Sequence, residues 1–183
     1  MPTDISGTKV AFLLGHGVEQ AELTQPWAEV KKAGGTPVLV SPESGTITAM
    51  KGDWDHADTF DVDVEVKDAK VEDYDALVIP GGTINADTLR IDTDAQAFVT
   101  AFFDAAKPVA SICHGPWILI DAGLAKGRRM TSYESISTDL KNAGVDWTDE
   151  ECVVDGNLIT SRNPGDLEVF SATLIEKVAA ATK

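Results

Sequence analysis

Basic residues and long apolar runs are both scarce in this sequence, and each shortage excludes a class of partner. Only 15 lysines and arginines stand against 30 acidic side chains, which gives a formal net charge of −15. So acidic a surface repels a phosphate backbone, so we expect no nucleic-acid partner. No apolar run reaches the roughly 20 residues of a membrane-spanning helix, so we expect no membrane partner. A solvated acidic surface is sufficient to explain the composition.

Cysteine and histidine are also few. The two cysteines, Cys113 and Cys152, form neither a Cys-x-x-Cys pair nor a zinc spacing. The three histidines are His16, His56 and His114, and no pair of them has a usable ligand spacing, so we expect no metal site and no cofactor. The amino terminus lacks the charged start and cleavage site of a signal peptide. We therefore expect a cytoplasmic protein with reduced cysteines.

Apolar runs and helical patterns alternate along the chain. The runs predict strands at 9–14, 36–42, 59–67, 75–82, 108–113 and 128–133, helices at 20–35, 92–107, 114–127, 135–144 and 166–183, and a hairpin at 151–161. In the 59–67 segment apolar and charged residues alternate strictly, which predicts a half-exposed edge strand. The pattern predicts one α/β domain over residues 1–183, with a mostly parallel sheet and helices on both faces.

The segment PVASICHGPW places a cysteine where a predicted buried strand ends. Cys113 is followed by His114 and then by Gly115-Pro116, which suits a sharp turn into a helix. Such an elbow lifts a nucleophile out of the sheet, and the helix amino terminus favours the thiolate over the thiol. The alternative is an inert buried cysteine, because free cysteine is among the most buried residue types. The Cys-His-Gly sequence at a strand end favours a functional thiol.

Two other strand ends carry candidate site residues. After the first strand, GHGVEQAE supplies Glu19 and Glu22, either of which can exchange a proton with a thiol or simply favour a helix start. After the strand at 75–82, Gly81 and Gly82 permit a backbone N–H to approach a ligand, although an ordinary turn also explains them. Asp87 is either a helix cap or an acid of the site.

With these residues in view, the sequence resembles the PfpI intracellular protease family. VIPGG, ASICHGPW, TSY at 131–133 and TSR at 160–162 bear the resemblance, which extends over nearly the whole chain. The wider superfamily, with its class I glutamine amidotransferase-like fold, includes the Parkinson's disease protein deglycase and bacterial deglycases. The resemblance implies a flavodoxin-like three-layer sandwich with a nucleophile elbow, and a homodimer or higher homo-oligomer. No histidine follows His114, so a glutaminase triad with a later histidine is excluded.

The resemblance also implies roles for particular residues. Cys113 matches the nucleophile, Glu22 the carboxyl that hydrogen-bonds the thiol, and the N–H groups of Gly82 and His114 the oxyanion hole. The ring of His114 matches the histidine of the protease-type members. Its third acid in those members comes from a neighbouring subunit, and Asp87 is the nearest candidate here, although it is shorter than the family's glutamate. Tyr133 and Arg162 match residues at the rim of the family's site. Apart from the resemblance, His16 in the loop after the first strand either lines the pocket or is a solvated loop histidine.

Three functions follow from an activated thiol at position 113. The first is a stress-response hydrolase of the deglycase type, in which the thiolate adds to the carbonyl of glyoxal, methylglyoxal or their adducts on proteins. The second is an intracellular cysteine peptidase, which needs the ring of His114 to reach the thiol. The third is a redox sensor or chaperone, in which Cys113 is oxidised ahead of Cys152. The expected substrates are therefore small carbonyl compounds, glycated proteins or peptides.

Overall fold

The protein alternates strands and helices along its length, as the sequence predicts. A computed structural model describes residues 3–182. Within them the strands are β1 Lys9–Leu13, β2 Thr36–Ser41, β3 Thr46–Lys51, β4 Asp55–Asp61, β5 Val64–Glu65, β6 Ala76–Ile79, β7 Val109–Ile112, β8 Arg129–Met130, β9 Asp146–Trp147, β10 Val153–Asp155 and β11 Leu158–Ser161. The helices are α1 Gln20–Lys32, α2 Thr83–Arg90, α3 Thr93–Asp104, α4 Trp117–Asp121, α5 Ser137–Asn142 and α6 Leu167–Ala181. The predicted end of the last helix, Lys183, lies outside the described residues.

The central sheet has the strand order β10-β11-β7-β6-β1-β2-β5. All neighbouring strands are parallel except β10, which forms the predicted hairpin with β11. The middle strands of the central sheet are fully buried because helices cover both of its faces. Phe12 of β1 and Phe170 of α6 belong to the buried cluster on one face, and the next residue, Leu13, belongs with Phe102 of α3 to the cluster on the other. The predicted three-layer α/β fold is confirmed.

The prediction of a single edge strand at 59–67 is wrong. Its first part belongs to β4, which pairs with β3 in a separate antiparallel hairpin, and only the two residues of β5 join the edge of the central sheet. Asp63 marks the break between them. Its N–H donates to the carbonyl of Leu39 at 3.0 Å, and its carboxylate accepts the N–H of Leu39 at 2.8 Å. The alternation of residue types therefore spans two elements that lie in different sheets.

Other boundaries also differ from the sequence prediction. The helix predicted at 114–127 contracts to α4, because residues 113–116 form tight turns and Gly123, with φ of 72°, ends the helix. The strand predicted at 128–133 is only the two residues of β8, which pair with β9 outside the central sheet. Residues 83–90, for which the sequence predicted no element, form α2, and Asp87 lies in its interior rather than at a cap. Within residues 3–182, no helix is both long enough and apolar enough to cross a bilayer.

The central sheet brings the three predicted site segments together at the carboxyl-terminal end of its strands. β6, β1 and β7 are parallel and close together, so the segments that follow them all emerge at their carboxyl ends. The chain passes from β1 to β2 on one side and later to β6 on the other, which makes β1 a topological switch point. Ligand sites in open α/β sheets form outside the strand ends at such a point.

Candidate active site

Cys113 occupies a strained turn directly after β7. Its φ is 61°, in the left-handed region that residues other than glycine seldom adopt. Two hydrogen bonds to other segments hold the turn in place. The Cys113 N–H donates to Ser161 O of β11 at 3.0 Å, and Cys113 O accepts the N–H of Tyr133, in the loop after β8, at 2.8 Å. Gly115 completes the turn, because a Cβ there would lie 2.6 Å from the carbonyl oxygen of Ile79. The predicted elbow is thus present, and strain of this kind is typical of functional sites.

Glu22 lies in the first turn of α1 and is fully buried. Its Oε2 accepts the N–H of Gly81 at 2.6 Å. Oε1 has no well-formed hydrogen bond within residues 3–182, and the Cys113 thiol is the side chain that interacts with this carboxyl. Burial raises the pKa of Glu22 to about 8, partly offset by the Gly81 N–H. At neutral pH the carboxyl is therefore mainly protonated, as a proton donor beside the sulfur has to be.

The Cys113 thiol is also almost buried, with 7% of its surface exposed. Burial raises its pKa, and so does the charge of Glu22 when that carboxyl is ionised. The backbone N–H groups of Gly82 and His114 act in the opposite direction, because both are directed at the sulfur. Protonation of Glu22 removes the charge repulsion, so the thiol and the carboxyl titrate as a coupled pair. These are the two N–H groups for which the resemblance implies the role of an oxyanion hole.

The ring of His114 turns back toward the thiol of the preceding residue. Its Nδ1 lies 3.3 Å from Cys113 Sγ and its Nε2 lies 3.1 Å from Ser135 Oγ. Tyr133 stacks on the ring at 4.8 Å between centroids, and the edge of Trp117 packs against it at 5.4 Å. Burial lowers the pKa of His114, so the ring is neutral at neutral pH and can accept a proton.

The remaining predicted residues lie at different distances from this centre. Tyr133 covers the His114 ring, and with Arg162 it lines an adjoining cavity of about 450 Å³. The guanidinium of Arg162 hydrogen-bonds Asp166 and Asp149, each at 2.9 Å. His16 accepts the backbone N–H of Thr48 at 3.0 Å, which secures its loop to β3.

Asp87 is exposed on α2, and within residues 3–182 no hydrogen bond joins it to His114. Within the same part of the chain, no three residues among the histidines, cysteines and acids form a group that could hold a metal ion.

Sequence reasoning missed several residues that organise the site. Asn85, fully buried in α2, donates to Gly81 O at 2.9 Å and accepts the N–H of Gly15 at 2.7 Å, which ties two site loops together. Thr83 and Ser135 place hydroxyl groups near His114 Nε2, and the Asp53 carboxylate binds Thr83. These residues come from segments around positions 53, 83–85 and 135, which are far apart in sequence, and their residue types are common at helix starts and turns, so no local signal identifies them.

The fold and site together define an α/β protein with a cysteine at a strand-to-helix elbow, beside a buried acid. The chain belongs to the DJ-1/PfpI family, whose model matches residues 8–177. It is 43% identical over 168 residues to the deglycase PH1704 of Pyrococcus horikoshii, covering 92% of this chain and 98% of that protein.

Other similarities agree. The chain is 41% identical over 163 residues to YraA of Bacillus subtilis, named as a candidate cysteine protease, covering 89% of this chain and 94% of YraA. It is also 41% identical over 175 residues to general stress protein 18 of the same organism, covering 93% and 99%. A two-domain protein of Anabaena variabilis with DJ-1/ThiJ/PfpI-like and ferritin-like domains superposes with a TM-score of 0.88 at 36% identity, covering 93% of this chain and 48% of that one.

Proposed function

We propose that the protein is a cysteine-dependent hydrolase of the deglycase type, which acts on glyoxal, methylglyoxal or their adducts on proteins in the stress response. The observation that supports this proposal is the buried, protonated Glu22 beside Cys113, within a turn that directs two N–H groups at the sulfur. Such a site can stabilise both a thiolate and an oxyanion without a cofactor. The deglycase PH1704 and general stress protein 18 are relatives in keeping with it.

With methylglyoxal the reaction begins with addition of the thiol to the aldehyde. The Cys113 sulfur bonds to the aldehyde carbon, the C=O electron pair moves to oxygen, and the N–H groups of Gly82 and His114 stabilise that oxygen. His114 Nδ1, at 3.3 Å, accepts the thiol proton, and Glu22 supplies a proton to the new oxygen.

The hemithioacetal carbon and its hydroxyl oxygen then each lose a proton, while the adjacent ketone carbon and its oxygen each gain one. The first carbon is thereby oxidised to a thioester and the second reduced to an alcohol, with no external oxidant. Water cleaves the thioester, which releases lactate and restores the thiol; glyoxal gives glycolate by the same steps. The sum is the addition of one water molecule to the substrate.

The test is lactate release from methylglyoxal by the wild type, Cys113→Ala and Cys152→Ala. Cys152 is the matched control, because it is the other free cysteine and its thiol hydrogen-bonds the Thr173 hydroxyl of α6 rather than a group of the candidate site. We expect release by the wild type and Cys152→Ala only. Equal release by Cys113→Ala would contradict the proposal.

Peptide hydrolysis is the second candidate, and the 3.3 Å contact between His114 Nδ1 and Cys113 Sγ favours it. A Cys-His pair cleaves an amide when the imidazolium returns the proton to the leaving amine. Hydrolysis of a fluorogenic peptide by wild type but not by His114→Ala would support this activity. An assembled protein in which no acid stabilises His114 would argue against it.

We further propose that the protein works in the cytoplasm as a homodimer or larger homo-oligomer, and that Asp87 of a neighbouring subunit acts on His114. The exposure of Asp87, and its lack of a hydrogen bond to His114 within residues 3–182, are compatible with such a role between subunits. Both cysteines are free thiols, in keeping with a reducing compartment. The role of redox sensor or chaperone stays a prediction, to be tested by whether peroxide oxidises Cys113 ahead of Cys152.

A further inference from the structure

Asp53 lies in the turn between β3 and β4, in a conformation that the surrounding chain holds in place. Its φ is 64°, in the left-handed region, and it follows Gly52 with φ of 63°. The turn is secured to two helices, because Gly52 donates its N–H to Glu19 Oε2 at 2.9 Å and the Asp53 carboxylate binds Thr83 at the start of α2. A residue other than glycine held at positive φ beside a candidate active site suggests a functional reason for its position.

The carboxylate of Asp53 makes two hydrogen bonds with Thr83. Oδ1 accepts the backbone N–H at 2.9 Å, and Oδ2 accepts the side-chain hydroxyl at 2.7 Å. A threonine hydroxyl has one proton, and an ionised carboxylate can only accept. The proton of Thr83 Oγ1 therefore points toward Asp53, which leaves only lone pairs of Oγ1 facing other groups.

His114 Nε2 lies 3.5 Å from that hydroxyl oxygen and 3.1 Å from Ser135 Oγ. The first distance is long for a hydrogen bond, as is common in active sites without substrate. Because Thr83 Oγ1 can only accept from this side, the favourable arrangement is an N–H on Nε2, shared between the two hydroxyl oxygens. A neutral imidazole protonated at Nε2 has a free lone pair on Nδ1, the nitrogen 3.3 Å from Cys113 Sγ.

We propose that Asp53, acting through Thr83, is a positioning residue that fixes the tautomer of His114, so that Nδ1 accepts the thiol proton of Cys113. The proposal rests on the proposed function, since it concerns the proton transfer that begins the reaction. It places an orienting acid for His114 within the same chain, on a hairpin turn, in addition to the acid proposed from a neighbouring subunit.

Charged and titratable groups around the ring agree with this assignment. Nδ1 faces the Cys113 thiol, behind which lies Glu22, and Tyr133 stacks on one face. Trp117 packs at the edge, with the guanidinium of Arg90 4.8 Å from its ring. Against the effect of burial, the charge of Asp53 raises the pKa of His114, so the acid also stabilises the imidazolium that forms when the thiol proton is accepted.

The first experiment measures the tautomer of His114 by ¹⁵N NMR of the imidazole, which needs no turnover. With only three histidines in the chain, His114→Gln assigns its signals. We expect His114 of the wild type to carry its proton on Nε2. In Thr83→Val, a larger fraction of His114 should carry the proton on Nδ1. Thr83→Ser retains a hydroxyl, so its His114 should be protonated on Nε2 as in the wild type. Asp53→Asn should lower the pH midpoint of His114. A wild type protonated at Nδ1, or Thr83→Val and Asp53→Asn that both titrate like the wild type, would overturn the proposal.

The second experiment follows kcat and KM for methylglyoxal across pH. Asp53→Asn and Thr83→Val should lower kcat about tenfold or more, with little change in KM, and shift the pH profile. The matched control is Asp55→Asn, which removes an equal charge two residues away on an exposed position of β4 and should match the wild type. An unchanged profile in a folded Asp53→Asn would count against the proposal.

The two experiments separate this proposal from the proposed function. A wild type that releases no lactate but shows the expected tautomer changes would refute the deglycase activity and leave the positioning role intact. Lactate release by the wild type, together with tautomers that are unchanged in the variants, would support the deglycase activity and refute the positioning role. Thermal unfolding of each variant, with Thr83→Ser as the conservative change, identifies effects that come only from misfolding.

Discussion

The Glu22 carboxyl and the Cys113 side chain lie on either side of Gly81, so close that no side chain fits between them. A Cβ on Gly81 would be 2.6 Å from Glu22 Oε2 and 2.7 Å from Cys113 Cβ. The glycine allows the acid, its N–H partner and the thiol to meet in a space that excludes water. Their proximity couples the protonation of the carboxyl to that of the thiol.

Glu22→Gln should abolish most of the activity while preserving the shape of the site. Glutamine can still accept the Gly81 N–H, but it cannot exchange a proton with the substrate oxygen. We expect kcat for lactate release to fall by about 100-fold or more, in the range of general acid–base catalysis. Glu29→Gln, a change on the exposed side of α1, is the control and should retain wild-type kcat. Comparable kcat in both variants would show that the carboxyl has no catalytic part.

The same substitution should change how stability depends on pH. The pKa of Glu22 rises from 4.5 to about 8 on folding, so between these values the folded state binds more protons than the unfolded state. Its contribution to the free energy of unfolding is complete below pH 4.5 and is lost as the pH rises toward 8. Glutamine has no such loss. Relative to Glu22→Gln, the wild type should weaken by a few kcal/mol over this window, at about 1.4 kcal/mol per pH unit.

Urea unfolding of both proteins at pH 5, 6.5 and 8 measures this difference, and the shared effect of the high net charge cancels in the comparison. A difference in unfolding free energy that is constant with pH would show that Glu22 is ionised in the folded protein at neutral pH.

Gly81→Ala should disrupt the contact between Glu22 and Cys113, because the added methyl group has no room there. The added methyl group would have to displace either the carboxyl of Glu22 or the backbone of β7, where Ile112 O lies 2.9 Å from the Cβ position. We expect a loss of about 1–3 kcal/mol of stability and loss of lactate release. Gly15→Ala is the control, because its Cβ would meet neighbours only at ordinary contact distances of 3.9 and 4.0 Å. If both variants unfold at the same temperature, the close approach described here is wrong.

Asp87→Asn tests the proposed contribution of a neighbouring subunit. Light scattering should give a multiple of the 19.5 kDa chain mass. In that assembly Asp87→Asn should reduce kcat/KM by about tenfold, the share expected of an acid that orients a catalytic histidine. It should do so without altering the mass. A monomeric wild type with full activity, or an assembled variant with wild-type kcat/KM, would rule out the intersubunit acid.

The sequence predicted the parts of the fold and site that depend on local chemistry. Buried parallel strands consist of short apolar runs, so β1, β2, β6 and β7 were recognisable, and the Asp155-to-Asn157 turn identified the terminal hairpin. At the end of β7 the Cys-His-Gly sequence indicated the elbow. In GVEQAEL, however, spacing alone left Glu19 and Glu22 equivalent, and the choice of Glu22 came from the resemblance.

Segments whose pattern depends on distant partners were predicted less well. Residues 59–67 alternate like one strand, yet the pairing of Asp63 with Leu39 divides them between two sheets. Alternation reports which side chains are exposed, and it does not report which strand is the neighbour. The helix after the elbow was overestimated for a similar reason, since the tertiary contacts of Cys113 with Ser161 and Tyr133 hold residues 113–116 in turns.

By itself, the sequence determined the α/β class, the order of the main elements and the position of the candidate nucleophile, Cys113, because those depend on hydrophobic periodicity and on a short motif. Only the tertiary structure decided that Glu22 is the buried acid, that the ring of His114 returns to the thiol, and that Asp53 reaches Thr83 from a separate hairpin. Protonation states depend on burial and on neighbours brought together by folding, and residues 30 or more positions apart acquire these neighbours only when the sheet and its helices assemble.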